Sequence, residues 1–296
     1  MIQTTHSANP VTKERRDRFL SRRSVIEMRA RERARALLDR GSFRELLGPF
    51  DRLESPWLPL QGVVPESDDG VIVARGQLAG QPAVIMAIEG AFQGGGMGEV
   101  SASKIAGALA LARRDCESGK PILPVLLLET GGVRLQEANL GEAVVAEIHA
   151  EIIALRRHVP VIGVITGMVG CFGGMSITAG LCSYLVIFPQ GRLELNGPEV
   201  IEQEAGIDEL DASDKRLIWS LMGGEQRYET GFADALVEDD AELLKQTIRD
   251  LAAHGIPARH RSEKVEEYRR RLAKIDPAAP PDGPALRRIW PTGEMQ

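Results

Sequence analysis

An apolar strand pattern followed by glycines and then by a helical pattern recurs along the middle of this chain. The apolar run 124–128 precedes Gly131–Gly132, the run 160–165 precedes the glycine-rich loop 167–174, and a further run covers 184–188. Repeated units of this kind are typical of an α/β architecture in which the loops gather at one end of the stacked strands. Because loops carry function on such scaffolds, we expect a ligand to bind there.

The other elements follow from hydrophobic periodicity and from turn residues. We predict two strands joined by a hairpin turn at Gly80-Gln81-Pro82, and later an acidic stretch in solvated helices. The proline-rich tail from Pro277 has an extended composition, which predicts a segment that either wraps a partner or stays disordered. The predicted strands cover 71–76, 83–88 and 235–237, and the predicted helices cover 101–116, 133–157, 175–180, 241–254 and 262–275.

The N-terminal part of the chain carries a dense series of arginines. Between residues 11 and 52 they alternate with acidic residues in a helical pattern that we expect to end at Gly41. One interpretation is a solvated helix lying on the main body. The other is a basic face that meets the phosphates of an acyl carrier or an acidic partner protein. The arm lacks interleaved aromatic residues, which argues against single-stranded nucleic acid as a ligand.

Composition excludes several classes of protein. The 296 residues are 43% hydrophobic, and no apolar run approaches the roughly 18 residues of a membrane span. The N-terminus lacks the apolar stretch of a signal peptide, so we expect a cytoplasmic protein. A net charge of −6 gives no global attraction to nucleic acid. The three cysteines lack paired spacing and the acidic stretch lacks a histidine, so neither a disulfide nor a metal site is predicted.

The Gly131–Gly132 pair has two interpretations. Paired glycines at a strand end let two backbone N–H groups approach a substrate, and a helix beginning at Val133 adds positive potential, which is the geometry of an oxyanion hole. Alternatively, the glycines only turn the chain. The glycine loop 94–98 similarly either covers an extended ligand or is a flexible connector.

Ionisable side chains around the glycine pair also have two interpretations each. Glu129 ends the preceding strand, where a buried ion pair competes with a catalytic role. Arg134 either steers an anion or forms a structural salt bridge. His149 and His158 lie a turn or more of helix beyond the glycines, which favours structural roles over proton donation.

Four segments, in order, resemble the carboxyltransferase family of the crotonase superfamily. They are 31–43, 95–99, 130–137 and 197–202, within a resemblance that covers about residues 28 to 238. The resemblance implies a crotonase-like α/β fold, a spiral of β-β-α units with flanking N- and C-terminal helices. The implied organisation is a helical arm and linker at 1–60, a carboxyltransferase domain at 61–260, and a helix with a proline-rich tail at 261–296.

The same resemblance implies that backbone amides stabilise a thioester enolate, with Gly131 and Gly132 as the donors. The substrate-binding residues that it implies are Gly95, Gly96, Met97, Gly98, Thr130, Val133, Arg134, Gly173 and Gly174. For Gly173 and Gly174, close helix packing is the alternative.

Three departures narrow the choice within the family. The chain is shorter than the fused transferase subunits, which hold two such domains, so a partner is needed. It lacks N-terminal cysteines for the zinc ribbon of bacterial acetyl-CoA carboxylase β subunits. Thr130 and Val133 stand where serine and alanine are more usual. This combination resembles the β subunits of biotin-independent malonate decarboxylases.

That resemblance implies decarboxylation of a malonyl thioester, held on an acyl carrier protein, to the acetyl thioester and CO2. The implied partners are a homologous γ subunit that completes the active site, the acyl carrier protein, which supplies a CoA-derived prosthetic group, and an acyl-carrier transferase subunit. No cofactor is expected to be covalently bound to this chain, and neither nucleic acid nor a membrane is expected as a partner. A biotin-dependent carboxyltransferase half-subunit and a noncatalytic assembly subunit are the alternatives.

Overall fold

The protein, seen in a computed structural model, is described over residues 21–65, 70–137, 139–167 and 169–290. Within these ranges seven strands form one sheet in chain order. They are β1 (Arg44–Leu47), β2 (Val71–Leu78), β3 (Gln81–Ile88), β4 (Leu123–Leu128), β5 (Ile162–Ile165), β6 (Tyr184–Ile187) and β7 (Ala235–Leu236). Strands β1 to β3 pair antiparallel, and β3 to β7 run parallel. The predicted α/β architecture is confirmed.

Helices pack on both faces of the sheet. Those described are α1 (Ala30–Leu37), α2 (Glu99–Glu117), α3 (Asn139–Leu155), α4 (Gly174–Leu181), α5 (Pro198–Ala205), α6 (Lys215–Met222), α7 (Gly224–Glu229), α8 (Ala241–His254), α9 (Val265–Leu272) and α10 (Gly283–Ile289). One hydrophobic core joins the sheet to α2, α3 and α4, and a second joins it to α1 and α8. Among the described residues, no helix combines the length and the apolar character needed to cross a bilayer.

Strand β4 illustrates why the central strands are continuous apolar runs. Leu126 and Leu128 lie in the core beneath α2 to α4, whereas Val125 and Leu127 lie in the core beneath α1 and α8. A parallel strand covered on both faces buries every side chain, so alternation between polar and apolar residues is lost. The strand pattern recognised in the sequence has this physical origin.

The loops after β3, β4 and β5 continue to pair beyond the sheet. Isolated parallel bridges join Met97 to Val133 and Thr130 to Cys171, and another joins Cys171 to Leu193. Each loop therefore leaves the carboxyl end of its strand and meets the loop of the neighbouring strand. The gathering of glycine loops at one edge is confirmed.

Two local predictions near these loops are wrong. The hairpin turn lies at Ala79 and Gly80, whose φ values of 49° and 81° match a two-residue type I′ turn, because Leu78 already pairs with Gln81. The helix after the glycine pair begins at Asn139 rather than at Val133, following a 3-10 turn at 135–137. Before that turn, the backbone is committed to pairing with Met97, so the helix N-terminus does not follow the glycine pair directly.

The terminal regions differ from the predictions as well. Residues 1–20 lie outside the described part of the chain. Helix α1 ends at Leu37, and Gly41, with φ = 81°, lies in the turn before the unpredicted strand β1. The tail contains α10 instead of an extended segment, because Pro284 stands in its first turn and the Asp282 carboxylate accepts from Ala285 N at 2.7 Å.

Candidate active site

Three glycine-containing loops meet at the carboxyl edge of the parallel strands. The Gly131 N–H donates to the Gly94 carbonyl at 2.8 Å, which joins the loop after β4 to the loop after β3. The Thr130 N–H donates to the Gly170 carbonyl at 2.8 Å, and the Phe172 N–H donates to the Thr130 carbonyl at 3.1 Å. Main-chain hydrogen bonds therefore hold the three loops together.

Glycine is required where these loops touch. Gly95 has φ = 67°, and a Cβ on it would overlap the Glu129 carbonyl oxygen. Gly173 has φ = 58°, and a Cβ on it would lie 3.2 Å from the Cα of Gly132. Both positions combine a left-handed backbone with close approach of a second chain segment. The glycines thus bring the loops into contact, and at Gly95 the loop is packed instead of being a loose connector.

The two amides predicted to act as donors are already engaged inside the chain. The Gly131 N–H is satisfied by Gly94, and the Gly132 N–H donates to Thr130 Oγ1 at 3.0 Å. An amide that donates to the protein is not free to stabilise a developing negative charge. The prediction that both glycines present open N–H groups is therefore corrected.

Two other amides of the same loops are open. Within the described residues, the N–H groups of Val133 and Gly174 have no hydrogen-bond acceptor, and both residues are half-buried. Val133 follows Gly132, and Gly174 is the first residue of α4, whose N–H has no helical partner. Sequence reasoning included both residues among the substrate-binding set, yet it did not single out their amides. Only the loop pairing reveals which N–H groups stay open.

The side chains of Met97 and Thr130 do not face a ligand. Met97 is fully buried in the core beneath α2 to α4, and its main chain pairs with Gly132 and Arg134. Thr130 is also fully buried, and its hydroxyl accepts from Gly132. Both side chains therefore lie inside the packed loops, and a substrate contact by the main chain of either residue stays a prediction.

Arg134 forms a structural salt bridge. Its Nη1 donates to Glu137 Oε1 at 2.7 Å, and both side chains are 5% exposed. Its Nη2 donates to the Gly96 carbonyl at 3.2 Å, while Glu137 Oε2 accepts from the N–H of Glu99 at the start of α2. A Cβ on Gly98 would overlap the Glu137 carboxylate. The pair therefore ties the loop 94–98 to the segment after the open Val133 amide.

Three other ionisable side chains near the glycine pair are Glu129, His149 and His158. Glu129 is 1% exposed and pairs with Arg33 at 2.5 Å. His149 Nε2 lies 3.0 Å from both the Gly174 carbonyl and Thr178 Oγ1, and burial lowers the pKa of this imidazole. His158 is exposed beyond the end of α3. These contacts support structural roles for Glu129 and His149, and the role of His158 stays a prediction.

Large apolar side chains stand exposed beside the open amides. Leu135 is 84% exposed, Leu195 is 52% exposed and Ile177 is 48% exposed. Leu135 follows the Val133 loop, Ile177 lies on α4, and the Leu195 carbonyl accepts from the Gly173 N–H at 2.7 Å. We call these three residues the apolar rim. Sequence analysis missed it, because only the fold shows which apolar side chains stay exposed and can contact another surface.

Comparison with known proteins identifies the family. The carboxyl transferase domain model matches residues 27–292 of this chain. The malonyl-S-ACP:biotin-protein carboxyltransferase MADC of Malonomonas rubra is 40% identical over 261 residues, which cover 85% of this chain and 80% of that protein.

Solved structures agree in fold. One chain of a Pseudomonas malonate decarboxylase hetero-tetramer in complex with malonate is 59% identical, with a TM-score of 0.87 over 93% of this chain and 99% of that chain. A chain of the Pseudomonas MdcD–MdcE hetero-dimer is 55% identical, with a TM-score of 0.73 over 85% of this chain and 97% of that chain. The crotonase-like fold and the resemblance to carboxyltransferases and malonate decarboxylases are confirmed. This chain belongs to the carboxyl transferase domain family.

Proposed function

We propose that this chain is a catalytic subunit of a malonate decarboxylase, which converts a malonyl thioester on an acyl carrier protein to the acetyl thioester and CO2. The observation that carries the proposal is the pair of open amides, Val133 and Gly174, on two glycine loops that touch. High similarity to a chain of a malonate decarboxylase complex supports the choice of substrate. The reaction makes the enzyme a carbon–carbon lyase.

The chemistry needs what these amides supply. When the bond to the carboxylate breaks, its electron pair passes to the thioester and forms an enolate, while the carboxyl carbon leaves as CO2. N–H donors aimed at the thioester oxygen stabilise that charge, and loss of one such donor typically costs about 100- to 1,000-fold in rate. No base is required for this step. A proton then enters at the α-carbon to complete the acetyl group.

A partner subunit fits the exposed surface beside the amides. The apolar rim leaves Leu135, Leu195 and Ile177 in contact with solvent in the single chain. Burying them against a partner would exclude water and strengthen the electrostatic interactions of the open amides. We propose that a homologous γ subunit covers this face, supported by the hetero-tetramer and hetero-dimer of the similar proteins. An acyl carrier with a CoA-derived prosthetic group and an acyl-carrier transferase complete the proposed assembly.

A second function is favoured by one specific observation. The relative from Malonomonas rubra is named a malonyl-S-ACP:biotin-protein carboxyltransferase, so a chain 40% identical to it is a candidate for carboxyl transfer to biotin. Both reactions begin with the same enolate, and they differ in whether the carboxyl group leaves as CO2 directly or passes to biotin. Avidin, which sequesters biotin, separates them.

The test is release of labelled CO2 from a malonyl thioester on its carrier protein. The complex is recovered through this chain and assayed with and without excess avidin. Release in the presence of avidin is expected for a biotin-independent decarboxylase. Release that avidin abolishes would assign the chain to the biotin-dependent transferases. Absence of release under both conditions would favour a noncatalytic assembly role.

A further inference from the structure

A buried carboxylate lies between the two loops that carry the open amides. Glu129 follows β4 and is 1% exposed. Its Oε2 accepts from Thr166 Oγ1 at 2.6 Å, and its Oε1 accepts from the Val169 N–H at 2.6 Å. Thr166 and Val169 both belong to the loop after β5. The Glu129 side chain therefore binds the loop that leads to Gly174, while its main chain begins the loop that leads to Val133.

The same carboxylate reaches the N-terminal region through Arg33. Arg33 Nη1 donates to Glu129 Oε2 at 2.5 Å, and the arginine is 6% exposed. The other two guanidinium nitrogens, Nε and Nη2, donate to the carbonyls of Val25 and Ile26 at 2.9 and 3.1 Å, respectively. Helix α1 and the segment before it are thus joined to both glycine loops by one ion pair.

We propose that Glu129 is a positioning residue, whose buried carboxylate sets the placement of the Val133 loop relative to the Gly174 loop. This inference rests on the proposed function, because it concerns the geometry of the amides that would stabilise the enolate. Glu129 itself is shielded from substrate, with Arg33, Thr166 and the Val169 amide surrounding its two oxygens.

Glu129 acts only as an acceptor in its hydrogen bonds to the loop after β5. An apolar side chain has no acceptor, and the shorter side chain of aspartate does not reach the same donors, so neither reproduces these hydrogen bonds. Gly90 leaves the space that the side chain occupies, since a Cβ there would lie 2.5 Å from Glu129 Cγ. A displacement of about 1 Å in a positioned group costs on the order of 100-fold in rate. Small movements between the two loops are therefore expected to be visible in kcat.

The experiment compares Glu129→Gln with Asp239→Asn in the assembled complex. Asp239 is the matched control because it is 3% exposed and accepts from Ser24 Oγ, Val25 N and Ile26 N, none of which belongs to a glycine loop. We expect Glu129→Gln to lower kcat on the order of 100-fold with little change in KM. Asp239→Asn is expected to lower the Tm while kcat stays near the wild-type value.

Glu129→Gln leaves the buried Arg33 without its charge partner, and this variant could fail to assemble for that reason alone. Two further variants test the positioning role in that case. Arg33→Met combined with Glu129→Gln removes both charges, and Thr166→Val removes one hydrogen bond without changing charge. If these variants and Asp239→Asn lower the Tm by the same amount, we expect both of them to lower kcat more than Asp239→Asn does. Equal kcat losses for the control and these variants, or wild-type kcat in Glu129→Gln, would overturn the positioning role.

Hydrogen exchange separates this inference from the proposed function. The segments 129–134, 166–167 and 169–174 are expected to exchange faster in Glu129→Gln than in Asp239→Asn, whatever the substrate. Unchanged exchange in these segments would refute the positioning role. A wild-type complex that releases no CO2 while the exchange difference persists would instead refute the proposed reaction.

Discussion

The two ends of helix α4 satisfy their backbone groups in opposite ways. At the C-terminal end, Arg156 Nη1 donates to the Leu181 carbonyl at 2.8 Å, and Arg261 Nη1 donates to the carbonyls of Gly180 and Cys182 at 3.3 and 3.4 Å. At the N-terminal end, two glycines provide no side chain, and the Gly174 N–H has no acceptor among the described residues.

This difference between the two ends of α4 indicates that the N-terminal end belongs to the proposed active site and the C-terminal end does not. Cations at a helix C-terminus and anions at an N-terminus are both stabilising, because of the helix dipole. Here the cations belong to the chain itself, whereas no carboxylate from the described residues caps the glycine end, so we expect that end to accept an anion from a ligand. We therefore expect variants at the two ends to affect different quantities, activity at the glycine end and stability at the arginine end.

The largest effect is expected from Gly174→Pro. Proline is tolerated at the first position of a helix, where it removes an N–H that has no helical partner. If that N–H stabilises the enolate, kcat of the complex should fall about 100- to 1,000-fold. Steady-state decarboxylation kinetics measure this loss.

Gly174→Ala is the matched control for that variant. It keeps the N–H and adds a Cβ that would lie 3.0 Å from Val145 Cγ1. A much smaller loss of kcat is therefore expected. If alanine and proline cost the same, crowding against Val145, and not the missing donor, would explain the result.

At the arginine end, Arg261→Met is expected to reduce stability. Arg261 is 10% exposed and pairs with Asp234 at 2.5 Å, so its loss leaves two carbonyls without this donor and leaves the Asp234 carboxylate with the Leu185 N–H but no cation. The free energy of unfolding should fall by about 1 to 3 kcal/mol, as measured by urea denaturation. The assembled complex should keep its kcat. Arg269→Met, which breaks the highly exposed pair with Glu266, should leave the unfolding curve unchanged.

Cys182, the residue that follows α4, makes the stability of the C-terminal end of this helix depend on pH. Burial raises the pKa of Cys182 from 9.0 to about 12. The unfolded thiol therefore loses its proton at lower pH than the folded one, so stability falls as pH rises from 9 towards 12, by about 1.4 kcal/mol per pH unit. Urea midpoints measured between pH 9 and 11 should fall less steeply in Cys182→Ser. Parallel declines for both proteins would contradict the burial of this thiol.

The smallest change in stability is expected from substituting a glycine that lies outside α4. Gly107 lies in the middle of α2, is exposed, and has no atom within 4 Å of the position that a Cβ would occupy. Gly107→Ala should raise the free energy of unfolding by about 0.5 to 1 kcal/mol, because alanine loses less backbone entropy. Calorimetry of the complex checks this gain, and kcat should not change. A destabilised Gly107→Ala would show that α2 carries a contact absent from the single chain.

Elements with strong local patterns were predictable. Helix α8 occupies Ala241–His254 as its periodicity indicates, and Asp240 caps it by accepting from Glu242 N and Leu243 N. The strands from β2 to β6 lie within a few residues of their apolar runs. Strand β1 was missed because its four residues alternate between exposed and half-buried positions, which leaves little apolar signal.

The candidate site was predictable in location but not in detail. The motif around Gly131 and Gly132 indicates the correct loop, because glycines after a buried strand are a local signal. Which amides stay open depends on the carbonyl of Gly94, which lies far away in sequence and accepts from Gly131 at 2.8 Å. The apolar rim likewise depends on which leucines the fold leaves uncovered.

The sequence by itself determined the α/β class, the edge of the sheet where the loops gather, and the family, because these follow from periodicity and from motifs within single segments. Only the tertiary structure decided that Val133 and Gly174, instead of Gly131 and Gly132, present open amides. It also decided that Glu129 joins two loops and α1. The physical reason is that hydrogen bonds between distant segments consume some donors and leave others open, and no local pattern records that choice.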